Sequence, residues 1–122
     1  MSKLPLEYLR HILDETKFIL SQSKNLKEDD FYNNPVLTRA FIRSLEIIWE
    51  ATKNIPKEFT NKYPDIEWKY MARMRDKLIH HYFGIDYFII WDIVISEIPK
   101  LNDRIVEIIN ENEWNFNFFR TA

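Results

Sequence analysis

Apolar positions recur along most of this chain at the helical spacing of three to four residues. In residues 4–23, Leu6, Leu9, Ile12, Leu13, Thr16, Ile19 and Leu20 form one stripe, with Glu7, Arg10, Asp14 and Lys17 elsewhere, the pattern of an amphipathic helix. Pro5 suits a first helical turn, where its missing N–H costs nothing, and Arg10 and His11 read as solvated surface. Residues 23–30 form a polar connector, and Phe31 and Tyr32 a short turn. Asn34 before Pro35 is a helix start, a side-chain cap followed by proline at the first helical position. The helix over 36–54 has Leu37, Ala40, Phe41, Ser44, Leu45, Ile48 and Ala51 on one side, and Ile47 and Trp49 widen that arc. So wide an arc belongs either to the centre of a bundle or to a contact with another chain. Arg43 and Glu46 are spaced for a surface ion pair.

Ile55-Pro56 ends that helix, and residues 56–63 have room for one or two turns. Asp65 is the expected cap of a helix through Trp68, Met71, Ala72, Leu78 and Ile79, with Gly84 terminating it. Asp86 caps a last long segment, 87–112, whose buried side is marked by Trp91, Val94, Ile95, Ile98, Leu101, Ile105 and Ile108. Pro99 should kink or break that segment near Ile98. The aromatic tail over 114–119 either anchors a partner or packs on its own bundle. These elements predict an all-α fold, an antiparallel bundle of four to five helices in a single domain over residues 1–122.

Composition narrows the function classes. One glycine in 122 residues argues against tight hairpins and phosphate-cradling glycine loops. No cysteine is present, which excludes disulfides, thiolate metal sites and cysteine nucleophiles. A net charge of −2, from 17 basic and 19 acidic side chains, is no uniform coat for nucleic acid and leaves only local basic patches. No apolar run reaches membrane-spanning length, and charges punctuate the N-terminus, so no membrane partner is expected and the protein reads as cytoplasmic. The chain shows no internal repeat.

The densest chemistry lies in residues 75–82, RDKLIHHY. On a helix at about 100° per residue, Arg75 shares the apolar stripe of Trp68, Met71, Leu78, Ile79 and Tyr82. A guanidinium there must be paired or aimed at an anion. Asp76 and His80, four apart, share another face, where the carboxylate can orient and charge-support the imidazole. Arg75 and His80 themselves stand about 140° apart on a regular helix. They meet through a local distortion, through a long reach by Arg75, or through a second chain across a two-fold axis.

Such a set suits phosphodiester cleavage: a histidine moves a proton, a guanidinium stabilises charge on phosphate, and in RNA the 2′-hydroxyl is a built-in nucleophile. Lys69, Arg73, Arg75 and Lys77 add a local basic patch, partly offset by Glu67 and Asp76. The bland alternative is a snorkelling Arg75 and a surface His80. His80 and His81 face different ways and the chain lacks Glu-x-x-His pairs, so neither metal nor cofactor is expected.

The stretch from Arg75 to Tyr82 matches R-x4-H-x-Y and resembles the HEPN superfamily, in particular its HepT-like toxins. RSLEIIWEA, starting at Arg43, resembles the family's second-helix signature, and Ile85-Asp86 with Ile90-Trp91-Asp92 resembles the segment after the motif. The resemblance implies a metal-independent endoribonuclease toxin, homodimeric with a composite cleft, paired with a minimal nucleotidyltransferase antitoxin. It further implies that Arg75 and His80 are catalytic, that Asp76 supports them, and that Tyr82 receives AMP from the antitoxin. A non-catalytic module presenting a nucleotide or substrate to a nucleotidyltransferase is the alternative. The chain departs from the pattern at Asp76, where relatives often carry asparagine, and at Trp49, where they commonly carry glycine.

Overall fold

The computed structural model describes residues 5–80 and 85–121, with side chains over 5–74 and 85–113. Among the described residues there is no strand. Helices α1 (Pro5–Ser23), α3 (Pro35–Asn54), α5 (Trp68–His80) and α7 (Ile98–Thr121) are long, and α2 (Glu28–Tyr32), α4 (Lys57–Thr60) and α6 (Tyr87–Asp92) are short. The fold is all-α, as the periodicity predicts.

α1 packs against both α3 and α7, and α3 against α5. The pairs along α1 show its direction. The Thr16 hydroxyl donates to Asn102 Oδ1 at 2.8 Å, and Arg10 near the start of α1 pairs with Glu113 far along α7, so these two helices run antiparallel. Phe18 meets Phe41 edge-on at 6.4 Å between ring centroids, while Tyr8 shares a surface cleft with Ala51; α1 and α3 are antiparallel too. The stripe read from residues 4–23 is the stripe that is buried: Leu9, Ile12, Thr16 and Ile19 lie in the core. α3 buries Phe41, Ser44, Leu45, Ile48 and Ala51. Trp49 is 3% exposed, so the wide arc of α3 is used within its own chain at that position. Asn34 caps α3 by accepting from the Leu37 N–H at 3.0 Å, and Arg43 pairs with Glu46 at 3.3 Å.

Five expectations are corrected. The polar connector extends only to Lys27, because residues 28–32 form a helical turn that drops Phe31 fully into the core. Asp65 does not cap α5: its carboxylate accepts from the Arg104 guanidinium at 2.7 and 3.2 Å, a two-point fork that holds it away from the helix start.

Pro99 does not break its helix. A π-helical segment, Ile93–Glu97, joins α6 to α7. Proline cannot donate to the carbonyl four residues back and its ring crowds that group, and a widened turn just before it gives the room. The extra residue in that turn also shifts the phase. Ile93, Val94 and Ile98 are buried while Ile95, expected inside, is 46% exposed. Finally, α7 does not stop at 112 but continues as backbone helix through Thr121, so the aromatic tail is an extension of it. Gly84 lies outside the described residues.

Candidate active-site helix

α5 carries the predicted constellation, and the turn before it is strongly tied down. Trp68 Nε1 donates to the Tyr63 carbonyl at 2.9 Å. Asn112 of α7 donates to the Tyr63 hydroxyl at 2.9 Å, and the Arg104 guanidinium carbon sits 5.5 Å from the Tyr63 ring centroid. Arg104 also holds Glu107 at 3.1 Å as well as Asp65. The Glu67 carbonyl accepts the Met71 N–H to start the helix. Along α5, Met71 is buried and Trp68 and Met74 pack against the core, while Lys69 and Arg73 are exposed.

Positions 75, 76 and 80 lie on the last turns of α5; Tyr82 lies outside the described residues. The helix is α-helical without interruption through His80, which removes a local backbone distortion as the route by which positions 75 and 80 converge. By register at about 100° per residue, position 75 continues the row of Trp68 and Met71, and positions 76 and 80 continue the row of Lys69 and Arg73. Two routes remain for bringing Arg75 and His80 together: a long reach, or a second chain.

Between α3, α5 and the π segment lies a cleft of about 360 Å³, floored by Ile48, Trp49 and Met71 and edged by Tyr70 and Glu97. Sequence reasoning missed it, because Tyr70 and Glu97 come from segments 27 residues apart that only the packing of α5 beside the π segment brings together. Burial, then the nearby Asp92 and Glu67 carboxylates, push the Glu97 carboxyl above its usual range. Burial first, and then Glu97 and Glu67, also push the Tyr70 hydroxyl up. Arg104 does the opposite to Asp65, whose carboxyl its hydrogen bond holds below the ordinary carboxylate range.

A folded-state carboxyl with a raised pKa contributes stability at low pH that is lost as pH rises through that pKa. Glu97→Gln removes the loss. The variant should therefore show a higher urea midpoint than the wild type at pH 7, and the difference should vanish below the ordinary carboxylate range, where both side chains are neutral. The gain is small, because much of Glu97 faces solvent.

Among the described residues no group of three or more histidine and acidic side chains is placed to hold a metal, and no helix is long and apolar enough to cross a membrane. No solved structure matches the chain significantly. A protein of Caldanaerobacter subterraneus subsp. tengcongensis whose name carries the word RNase is 51% identical over 111 residues, covering 91% of this chain and 99% of that one. A Methanocaldococcus jannaschii protein, also with RNase in its name, is 51% identical over 106 residues, covering 87% of this chain and 88% of its own. A protein of Thermococcus cleftensis named a probable ribonuclease HepT is 41% identical over 102 residues, covering 84% of this chain and 93% of its own. The family model described as "Ribonuclease HepT-like" matches residues 7–108, a span that runs from the first turn of α1 into α7 and contains every position of the R-x4-H-x-Y motif, so the chain belongs to the HepT-like ribonucleases of the HEPN group.

Proposed function

We propose that this chain is a metal-independent endoribonuclease that acts in the cytoplasm as a homodimer, with its catalytic groups drawn from Arg75 and His80. One observation supports the reading above the rest: in a chain of the HepT-like family, the Arg75–His80 pair lies on a regular helix that also exposes Lys69 and Arg73. In the reaction the ribose 2′-oxygen attacks the adjacent phosphorus and the bond from phosphorus to the 5′-oxygen breaks. The products are a 2′,3′-cyclic phosphate and a 5′-hydroxyl, so one proton leaves the 2′-hydroxyl and one reaches the departing 5′-oxygen. His80 moves such a proton, Arg75 stabilises the charge that builds on the phosphate, and Asp76 holds the imidazole in position. RNA supplies its own nucleophile, and the chemistry therefore asks for no metal ion.

A cell that makes such an enzyme needs it restrained. The family resemblance supports a toxin held in check by a minimal nucleotidyltransferase antitoxin that transfers AMP to Tyr82. Tyr82 is two residues past His80, and a bulky phosphate-bearing group there would oppose entry of an RNA phosphate by charge and volume.

The test is direct. Purified chain, freed of metal with a chelator, is mixed with labelled RNA. Cleavage should persist and leave 2′,3′-cyclic phosphate ends. RNA binding without cleavage, unchanged in His80→Ala, would instead point to a non-catalytic partner of a nucleotidyltransferase and overturn the assignment.

A further inference from the structure

Two clefts flank Tyr70, and their charges differ. The first, between α3, α5 and the π segment, has three carboxylates at its walls, Asp65, Glu67 and Glu97, against Lys100 and Arg104. Of those cations Arg104 is already engaged by Asp65 and Glu107. The second cleft, about 390 Å³, lies on the other side of α5 beside α4. Its walls include Asn61, Trp68, Lys69, Tyr70 and Arg73, with Glu67 as the one carboxylate. Neither Lys69 nor Arg73 forms an ion pair with any described residue. Both are exposed, so they give the cleft positive charge that Glu67 offsets only in part.

The helix register connects this cleft to the proposed chemistry. Lys69, Arg73 and position 80 fall within about 40° of one another around α5, and at about 1.5 Å per residue Arg73 is roughly 10 Å and Lys69 roughly 16 Å along the axis from position 80. A polyanion held at position 80 and running toward the start of α5 passes position 76, an aspartate on the same row. It then meets two cations, Arg73 and Lys69, at successive turns beside the second cleft. The first cleft would repel it. Trp68 adds an aromatic ring fixed by its hydrogen bond to the Tyr63 carbonyl; a ring already immobilised loses little freedom when a base stacks on it.

We infer that the cleft beside α4 is a subsite for the RNA strand flanking the cut, with Lys69 and Arg73 on backbone phosphates and the Trp68 and Tyr70 rings against a base. This rests on the endoribonuclease reading for the identity of the polyanion, and it makes Lys69 and Arg73 positioning residues, which do not touch the reacting atoms.

The experiment measures single-stranded RNA binding by the full chain as a function of salt, alongside cleavage of a long RNA and of a dinucleotide too short to reach the cleft. Each phosphate contact contributes about 0.7 to the slope of log affinity against log salt for single strands. Lys69→Ala with Arg73→Ala should thus lower the slope by about 1.4, raise KM for the long RNA several-fold with kcat nearly unchanged, and leave dinucleotide cleavage as it was. Arg73→Lys in the Lys69→Ala background should recover half of the lost slope. Lys100→Ala, at the edge of the acidic cleft, should leave the slope unaltered. Both replaced side chains are exposed, so the fold survives. An unaltered slope and KM in a double variant that still cleaves would overturn the subsite and leave the nuclease standing. A wild type that binds RNA without cutting it loses the nuclease reading, and its slope still tests the subsite. A wild type that neither binds nor cuts overturns both.

Discussion

His80→Ala should reduce RNA cleavage by a factor of about 100 to 10,000, the usual contribution of a positioned general acid or base, while leaving RNA affinity within a few-fold of wild type. The variant should also lose the limb of the pH–rate profile that a histidine contributes between about pH 5 and 8. A loss of binding in step with cleavage would instead make His80 a recognition residue. The regular geometry of α5 sharpens the experiment. Since positions 75 and 80 are set about 140° apart by an uninterrupted helix, the pair should act across two chains. Neither Arg75→Ala nor His80→Ala would then cleave alone, but subunit exchange would build mixed dimers with one intact site of two. With random exchange half of the dimers are mixed, so activity should return to about a quarter of wild type. No recovery on mixing would place both groups in one chain and leave the long reach by Arg75 as the route.

Phe31→Ala should destabilise the protein by about 3–5 kcal/mol, the range for truncating a buried phenylalanine, against a total of about 5–15 kcal/mol for a domain. Phe31 is fully buried. Its ring stacks on Phe41 of α3 at 5.5 Å and tilts against Trp91 of α6 at 5.3 Å, so one side chain joins α2, α3 and the helix that follows the motif. Aromatic pairs add about 0.5–1.5 kcal/mol beyond the area they bury, and alanine removes both pairs together. Equilibrium urea unfolding gives the number. Phe31→Leu should recover much of the loss by refilling the volume without the ring geometry. A Phe31→Ala midpoint within error of wild type would show that α2 does not anchor the bundle.

The importance of Phe31 was hidden in the sequence for a physical reason. It follows the polar run KEDD, and a five-residue helix has no period to read. Only docking against Phe41 and Trp91, both distant in sequence, makes it a core residue. The π segment was hidden similarly: Pro99 announces a disturbance, but whether the chain breaks, kinks or widens depends on which register lets Ile93, Val94 and Ile98 all be buried. Asp65 was misread because a cap is a local inference, whereas Arg104, 39 residues away in the chain, offers its carboxylate a charged partner.

What the amino-acid order determined by itself is considerable. The 3.6-residue spacing of apolar side chains settles the all-α class and the buried faces of α1 and α3, because amphipathic burial is a one-dimensional property. Asn34-Pro35 and Asp86 mark helix starts through hydrogen bonds two to three residues long. The grouping of Arg75, Asp76, His80 and Tyr82 within eight positions is likewise visible in the chain itself. Tertiary structure decided the rest, because it depends on groups remote in sequence: the locking of the α4–α5 turn onto α7 through Arg104 and Tyr63, and the acidic character of one cleft beside Tyr70 against the basic character of the other. It decided as well that α5 stays regular to His80. That regularity sets the two proposed catalytic positions about 140° apart around the helix, which leaves a second chain or a long reach by Arg75 to bring them together.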